Sequence, residues 1–384
     1  MFNAKCFISL RKKMNPFIIK GYAGPEFFCD REEETDRLLN AINNQRNLTL
    51  VSLRKMGKTG LIYHTFEKLS KDKYDKIYID IFDTVNLTGF INKFASSLLS
   101  LKKTFGEKMI EYIESFRYIR PVISIDPLSG LPTASFKISS EEEAQQTISD
   151  LFKILVEKSL SKSIVLAIDE FQQITKYPEK NVEALIRGNI QNLHNVTIIF
   201  SGSNKSLLGQ IFSNPSRPFY QSTELMYLEE IQPPSYIDFI RNIFLAHETK
   251  IDDEAIGDIL YWTRVHTYYV QYCCNKIFEL KSGNISRAET QKICNQILRD
   301  HEPFYFELRN LLTHHQWQLL KAIAKEKGAK SITSSAFIKQ YDLTNASTIK
   351  RGIESLLEKE LIYRSKNQYL LQDVFFSRWL ELQE

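Results

Sequence analysis

The sequence has few cysteines, no long apolar run and no marked excess of charge. Five cysteines, Cys6, Cys29, Cys273, Cys274 and Cys294, occur in 384 residues. Their odd number and irregular spacing fit neither a disulfide framework nor a zinc pattern, so they read as plain thiols with structural roles. Nowhere do about 18 apolar residues run together, so no membrane-spanning helix is expected. The apolar stretch within residues 1–10 is too short for a secretion signal, and Arg11, Lys12 and Lys13 lie on its wrong side. A cytoplasmic protein is the expectation. Met14 is an alternative start, because Asn15-Pro16-Phe17 opens a more orderly segment. Lys and Arg number 50 against 46 Asp and Glu, a net of +4, which is too even to argue for nucleic acid on charge alone. There is no internal repeat and no low-complexity tract. What is present is 43% hydrophobic and 25% charged residues. That composition excludes a disordered, fibrous or disulfide-scaffold chain, and the length suggests two or three domains.

Short apolar runs alternate with helical patterns through the first two thirds. Leu48-Thr49-Leu50-Val51 reads as a buried strand, followed by a helix over residues 59–69. Ile77-Tyr78-Ile79-Asp80-Ile81, Ile164-Val165-Leu166-Ala167-Ile168, Val196-Thr197-Ile198-Ile199-Phe200 and Leu225-Met226-Tyr227-Leu228 complete a set of five. Continuous apolar strands between helices predict a parallel α/β sheet covered on both faces. Residues 121–138 interrupt the alternation with two alternating runs around Asp126-Pro127-Leu128-Ser129-Gly130, which reads as a β-hairpin before a helix near Glu141. It is either a functional arm or a decorative surface hairpin. After Pro233-Pro234 the strands stop, and helical patterns run to about Leu312 with breaks near Ile251 and Gly283. From Thr313 the order is helix (316–325), helix (334–340), helix (345–359), then two short strands around Lys366-Asn367, which describes a winged helix. The expected organisation is an N-terminal extension (1–13), a nucleotide-binding core (14–232), a helical lid (233–312) and a winged-helix domain (313–384).

Two motifs carry chemistry. Ser52-Leu53-Arg54-Lys55-Met56-Gly57-Lys58-Thr59 matches the phosphate-loop pattern G-x-x-x-x-G-K-[ST] between a strand and a helix, except that Ser52 replaces the first glycine. In such a loop the backbone N–H groups face phosphates and Gly57 lets the chain approach closely. Lys58 reaches the β- and γ-phosphates, and the Thr59 hydroxyl ligates Mg²⁺. The strand ending in Asp169-Glu170 matches the Walker B pattern. Parallel strands deliver such residues to the C-terminal edge where ligands bind. Asp169 is expected to hold Mg²⁺, directly or through water, and Glu170 to act as the base on the attacking water. Adjacent His314-His315 lacks a second ligand pair and reads as a solvated helix start.

With these pieces the chain resembles the archaeal-type ATPases of the STAND group, within the AAA+-like P-loop NTPases. Phe27-Phe28-Cys29-Asp30-Arg31-Glu32-Glu33-Glu34 resembles the family's upstream motif, with Asp30 where that motif has glycine. The segments 166–172, 200–203, 268–271 and 369–379 also match. The resemblance implies a parallel P-loop NTPase (AAA+-like) sheet with helices on both faces, a helical lid and a C-terminal winged helix. It implies ATP and Mg²⁺ as ligands and slow hydrolysis used as a conformational switch. Arg31, Ser52, Arg54, Lys55, Met56, Gly57, Lys58, Thr59 and Gly60 are the nucleotide-binding candidates. Thr59 and Asp169 are the metal candidates. Glu170, Lys58, Ser203 and Arg217 are the catalytic ones. Ser203 or Ser201 stands where such ATPases place a polar sensor, and either also suits a helix N-cap. Arg217 reads as a finger reaching a neighbouring subunit or as a solvated loop arginine. Arg264 and His266 read as phosphate sensors or surface helix residues. The family's Gly and Pro near Thr263 are replaced by Val265 and Thr267, which bears on the adenine pocket. Alternatives are a nucleotide-dependent DNA-binding regulator and a non-hydrolysing nucleotide scaffold. A homo-oligomer is compatible with either.

The third winged-helix helix begins Asn345-Ala346-Ser347-Thr348-Ile349-Lys350-Arg351. Asn345, Ser347, Thr348, Lys350 and Arg351 suit base and phosphate contacts in a major groove. Residues 311–384 hold 11 basic against 8 acidic residues, a mild net of +3. A protein partner is therefore the competing expectation to DNA.

Overall fold

The computed structural model describes residues 15–100, 121–128, 130 and 132–383. The 1–13 extension, with Cys6 and the choice between Met1 and Met14, lies outside the described residues. Two compact units divide the chain: Gly21–Glu229, and Glu230–Glu384 together with the N-terminal residues up to Lys20.

The first unit is an α/β layer built on strands β1 (Leu48–Val51), β2 (Tyr74–Asp80), β5 (Ser163–Asp169), β6 (Val196–Gly202) and β7 (Glu224–Tyr227). They pair in parallel in the order β2-β5-β6-β1-β7. Two strands, β5 and β6, thus separate β1 from β2. Alternate residues of β5 face opposite sides. Val165 and Ala167 join Leu38, Leu61 and Ile62 from helices α1 (Glu32–Asn43) and α2 (Lys58–Lys68). Ile164, Leu166 and Ile168 join Phe90, Phe94, Ile148 and Leu151 from α3 (Leu87–Ser100) and α4 (Glu141–Ser159). Burying both faces explains why β1, β5 and β6 are nearly continuous apolar runs. Each fully buried Leu or Ile contributes roughly 1.5–3 kcal/mol. The edge strand β2 is less uniform: its polar Tyr78 and Asp80 alternate with buried Ile77 and Ile79.

The hairpin consists of β3 (Val122–Ile125) and β4 (Pro132–Ser135), antiparallel, with Val122 opposite Ser135. Residues 136–138 carry no strand, because the Phe136 N–H donates to Asn92 Oδ1 on α3 at 2.9 Å. Helices α5 (Val182–Ile190) and α6 (Lys205–Ser213) complete the unit.

The second unit is mainly helical, but strands do not stop at Pro233. A two-residue parallel pair, β8 (Lys250–Ile251) with β9 (Asn284–Ile285), joins the two places where the helical pattern breaks. Such short strands carry no periodic signal. The proline pair opens α7 (Pro233–Ala246) at its first two positions, where a missing N–H costs nothing. Helices α8 (Asp253–Trp262), α9 (Thr267–Phe278) and α10 (Arg287–Asn310) follow. Phe17 docks here, its ring 5.1 Å from that of Phe244, and Asn275 Nδ2 donates to its carbonyl at 2.8 Å. The winged helix comprises α11 (His314–Lys325), α12 (Ser335–Gln340), α13 (Ala346–Glu358), the hairpin β10 (Ile362–Ser365) with β11 (Gln368–Leu371), and α14 (Val374–Glu381). Every residue of 374–380 in α14 is buried. Phe375 packs on Trp262 and Tyr269 with centroids at 5.1 and 4.6 Å, and Trp379 Nε1 donates to Glu302 at 3.0 Å. The closing helix is therefore part of the helical core around α8–α10.

Candidate nucleotide site

The site is built from the C-terminal ends of β1, β5 and β6. The loop after β1 turns through two left-handed residues, Lys55 (φ +61°) and Gly57 (φ +96°). Glycine adopts this conformation freely, whereas a lysine there bears roughly 1–2 kcal/mol of strain. Ser52, which replaces the loop's first glycine, has no positive φ. Its hydroxyl folds back onto the Leu53 carbonyl at 2.7 Å, and it is fully buried, so this position does not demand glycine. Met56 anchors the loop in the core. Gly60, in the first turn of α2, faces Phe28, whose ring lies 3.4 Å from where a Cβ would be.

Lys58 is 6% exposed. Burial pushes its ammonium below the ordinary lysine range; Asp169 and Glu170 oppose that push and Arg54 adds to it. Thr59 Oγ1 donates to Asp169 Oδ2 at 2.9 Å. Tyr78 OH donates to the same oxygen at 2.7 Å. Ser201 Oγ and the Glu170 N–H donate to Oδ1 at 2.6 and 3.0 Å. Burial alone would raise the Asp169 pKa, but the Lys58 charge and the hydroxyl donors outweigh it and hold the carboxyl below its usual range. Asp169 is thus an anion at neutral pH inside the protein. A hydroxyl and a carboxylate in mutual contact form the hard-oxygen pair that Mg²⁺ uses when phosphates and water supply its other ligands. Thr59 and Asp169 therefore fit that ion.

Glu170 is left-handed (φ +55°), so the chain turns sharply away from β5 at this residue. Its Oε2 accepts from Ser203 Oγ at 2.9 Å and from Gln172 Nε2 at 2.5 Å. Ser201 near the end of β6 and Ser203 just after it thus divide the two carboxylates: Ser201 serves Asp169 and Ser203 serves Glu170. Asn204, not Ser203, caps α6, accepting from the Leu207 N–H at 3.0 Å.

Other candidates are committed elsewhere. Arg31 is buried, pairs with Glu34 at 2.6 Å and donates to the Glu229 carbonyl at 2.6 Å. Asp30 and Arg31 are both left-handed, which accounts for glycine in the related upstream motif. Arg217 forms an ion pair with Glu183 of α5. Arg264 and His266 lie in the turn between α8 and α9 and not on a helix surface: Arg264 Nη2 donates to Ser377 Oγ at 2.7 Å, and His266 is buried.

The motifs did not single out Tyr78, Asp80, Gln172 and Gly202. Asp80 pairs in register with Asp169. Burial raises its pKa, and the neighbouring Asp169 and Glu170 charges reinforce the rise against the Phe82 N–H and Lys93. A Cβ on Gly202 would fall 2.0 Å from Gln172 Oε1. The alternation of Tyr78 and Asp80 against Ile77 and Ile79 was a visible signal of one polar face. Its target was not visible, because β5 lies far along the chain.

A family described as an ATPase domain predominantly from Archaea matches residues 28–272. The chain belongs to this family. A probable winged helix domain matches residues 303–382. Among solved structures, the Walker-type ATPase PABY2304 of Pyrococcus abyssi is similar with a TM-score of 0.66 and 16% identity, covering 96% of this chain and all (100%) of that one. The ORC2 protein of Aeropyrum pernix is similar with a TM-score of 0.54 and 13% identity over 96% of this chain and 97% of that one. At these identities the likeness concerns the fold. No curated protein gives a significant match.

The ATPase domain is thus a P-loop NTPase fold followed by a winged helix. No described helix is long and apolar enough to cross a membrane. In the winged helix, α13 buries Ile349, Ile353 and Leu356 and exposes Ser347, Lys350 and Arg351, but also Glu354 and Glu358. Asn345 caps the helix, accepting from the Thr348 N–H and the Ser347 hydroxyl. His314 and His315 are exposed in the first turn of α11.

Proposed function

We propose that this ATPase-family protein binds ATP with Mg²⁺ at the C-terminal edge of its sheet and hydrolyses it slowly, using the change as a conformational switch. The reading rests on one arrangement above all: Lys58, Thr59, Asp169 and Glu170 converge, and a separate serine holds each carboxylate. The loop N–H groups and Lys58 bind the β- and γ-phosphates. Thr59 and Asp169 hold Mg²⁺, which when bound neutralises phosphate charge. Gln172 and Ser203 both engage Glu170 Oε2, leaving Oε1 to accept a proton from the attacking water. The water oxygen bonds to the γ-phosphorus, the bond to the bridging oxygen breaks, and ADP leaves. The Aeropyrum ORC2 structure is of ADPNP and ADP complexes, which supports adenine nucleotides here. Loss of the γ-phosphate contacts is the change that would reach the helical segment and the winged helix.

The test is ATP hydrolysis by the purified chain with Mg²⁺ beside Glu170→Gln and Lys58→Ala, with nucleotide affinity measured in parallel. Turnover lost in Glu170→Gln with ATP still bound supports the reading. Binding without turnover in the wild type would make the protein a holding switch. Absence of binding would make it a scaffold.

The exposed Lys350 and Arg351 on α13 favour a second role in contacting duplex DNA. Glu354 and Glu358 on the same helix keep its charge modest. Affinity for a mixed-sequence duplex that falls steeply with salt would support DNA as the partner.

A further inference from the structure

Arg54 lies within the phosphate loop, four residues before Lys58. Its guanidinium lies over the ring of Phe82, 5.5 Å from the centroid. Phe82 follows β2, and strand order makes this contact informative. β1 and β2 are separated by β5 and β6, so their ends are roughly 14 Å apart at about 4.8 Å per strand step. A side chain that leaves the β1 loop and reaches the end of β2 passes across the ends of the two strands between. Those ends carry Asp169, Glu170 and Ser203.

Phe82 is itself well placed. Asp80 Oδ1 accepts its N–H at 2.9 Å, and the Ile81 N–H bonds to the Asp169 carbonyl at 3.2 Å. The turn that presents the ring is thus pinned to the strand that carries the Walker B pair. Phe82 is 53% exposed. An aromatic side chain left this open beside a charged loop makes sense as a rest for a cation.

We propose that Arg54 is a catalytic arginine supplied in cis by the phosphate loop, with Phe82 as the residue that positions it. The assignment rests on the ATPase reading above. As water attacks the γ-phosphorus and Glu170 takes its proton, negative charge moves to the γ-oxygens and the bridging oxygen. Arg54 donates hydrogen bonds to those oxygens and keeps its own protons throughout. A guanidinium forks onto phosphate oxygens in a way an ammonium does not.

The experiment compares wild type, Arg54→Ala, Arg54→Lys, Phe82→Ala and the Arg54→Ala/Phe82→Ala double variant as full chains. It reads single-turnover ATP hydrolysis, ADP affinity, and affinity for ADP with aluminium fluoride as a probe of the transferring phosphoryl group. Arg54→Ala is expected to slow turnover about 100-fold or more, to weaken the aluminium fluoride complex in parallel, and to weaken ADP binding far less than that complex. Arg54→Lys should not restore the rate. Phe82→Ala should slow turnover less, and adding it to Arg54→Ala should change nothing further. Mixing Arg54→Ala with Lys58→Ala chains should restore no activity, because the arginine acts on its own loop's phosphates. Unchanged turnover in a folded Arg54→Ala, equal loss of ADP and transition-state binding, or rescue on mixing overturns the assignment while leaving the ATPase reading intact. A wild type without Glu170-dependent turnover overturns that reading, and this assignment with it.

Discussion

Gly202→Ala adds one methyl group at the end of β6, and the structure makes its consequence calculable. The new Cβ would lie 2.0 Å from Gln172 Oε1, 3.0 Å from Gln172 Cδ and 3.0 Å from Leu208 Cδ1. Leu208 is fully buried and Gln172 is 6% exposed, so neither has open space to retreat into. Gln172 is the more mobile, and its amide must move by more than an ångström to restore ordinary contact. That movement breaks its 2.5 Å bond to Glu170 Oε2. Overpacking of this kind costs about 1–3 kcal/mol. For a unit of about 200 residues each kcal/mol lowers Tm by roughly 2–4 °C. A hydrogen bond to a charged group contributes about 1.5–3 kcal/mol. If half of that energy holds Glu170 in its working rotamer, turnover falls roughly 4- to 13-fold.

The assay is thermal unfolding and ATP turnover for Gly202→Ala, Gln172→Ala and the double variant. In the Gln172→Ala background the added methyl meets only Leu208, so its stability cost should shrink by at least about 1 kcal/mol, and its effect on turnover should vanish. Such coupling is expected of residues in contact. Costs that simply add would refute the reasoning, as would a Gly202→Ala protein with the Tm and rate of the wild type.

Three further outcomes are expected. Asp169 titrates below the usual carboxylate range in the folded chain, so its contribution to stability is fully present above its unfolded pKa of about 3.9 and is lost as pH falls through the folded value. Melting curves from pH 6 to pH 3 should therefore fall more steeply for the wild type than for Asp169→Asn. Arg378, with its side chain 8% exposed, donates to the Tyr261 and Trp262 carbonyls at 2.8 and 2.9 Å and pairs with Glu381 at 2.8 Å; Arg378→Ala should cost about 3 kcal/mol in denaturant unfolding and expose the region around α14 to protease, and Arg378→Lys should not rescue it. If the winged helix takes duplex DNA, Lys350→Ala and Arg351→Ala should each weaken binding alike for all sequences and reduce the salt slope by about 1; slopes unchanged from wild type would remove α13 from the interface.

How much of this site could be read from the sequence depended on whether a residue's role is local or set by register. Lys58, Thr59, Asp169 and Glu170 were legible because the loop and the strand end are short motifs whose chemistry is contained in a few adjacent positions. The strands β1, β5 and β6 were legible because burial on both faces leaves mostly apolar residues, and the edge strand β7 through the short run at Leu225 and Met226. β2 was displaced by a few residues because an edge strand mixes Tyr78 and Asp80 with its isoleucines, and β8 and β9 were missed because two residues make no period. Tyr78 matters through its bond to Asp169, and that bond exists only because β2 pairs with β5, some ninety positions later. Gln172 and Gly202 are a pair of the same kind: neither residue type signals function, and their contact is made by β6 lying beside β5. Ser201 and Ser203 fall between the cases. Their place at a strand end was readable, but the division of labour between them follows from alternation along β6 and its continuation. Ser201 turns toward Asp169, and Ser203, two residues on, meets a glutamate that the left-handed turn at Glu170 has carried round to it. The second layer of the site is therefore a product of strand order, and strand order is what a local pattern does not encode.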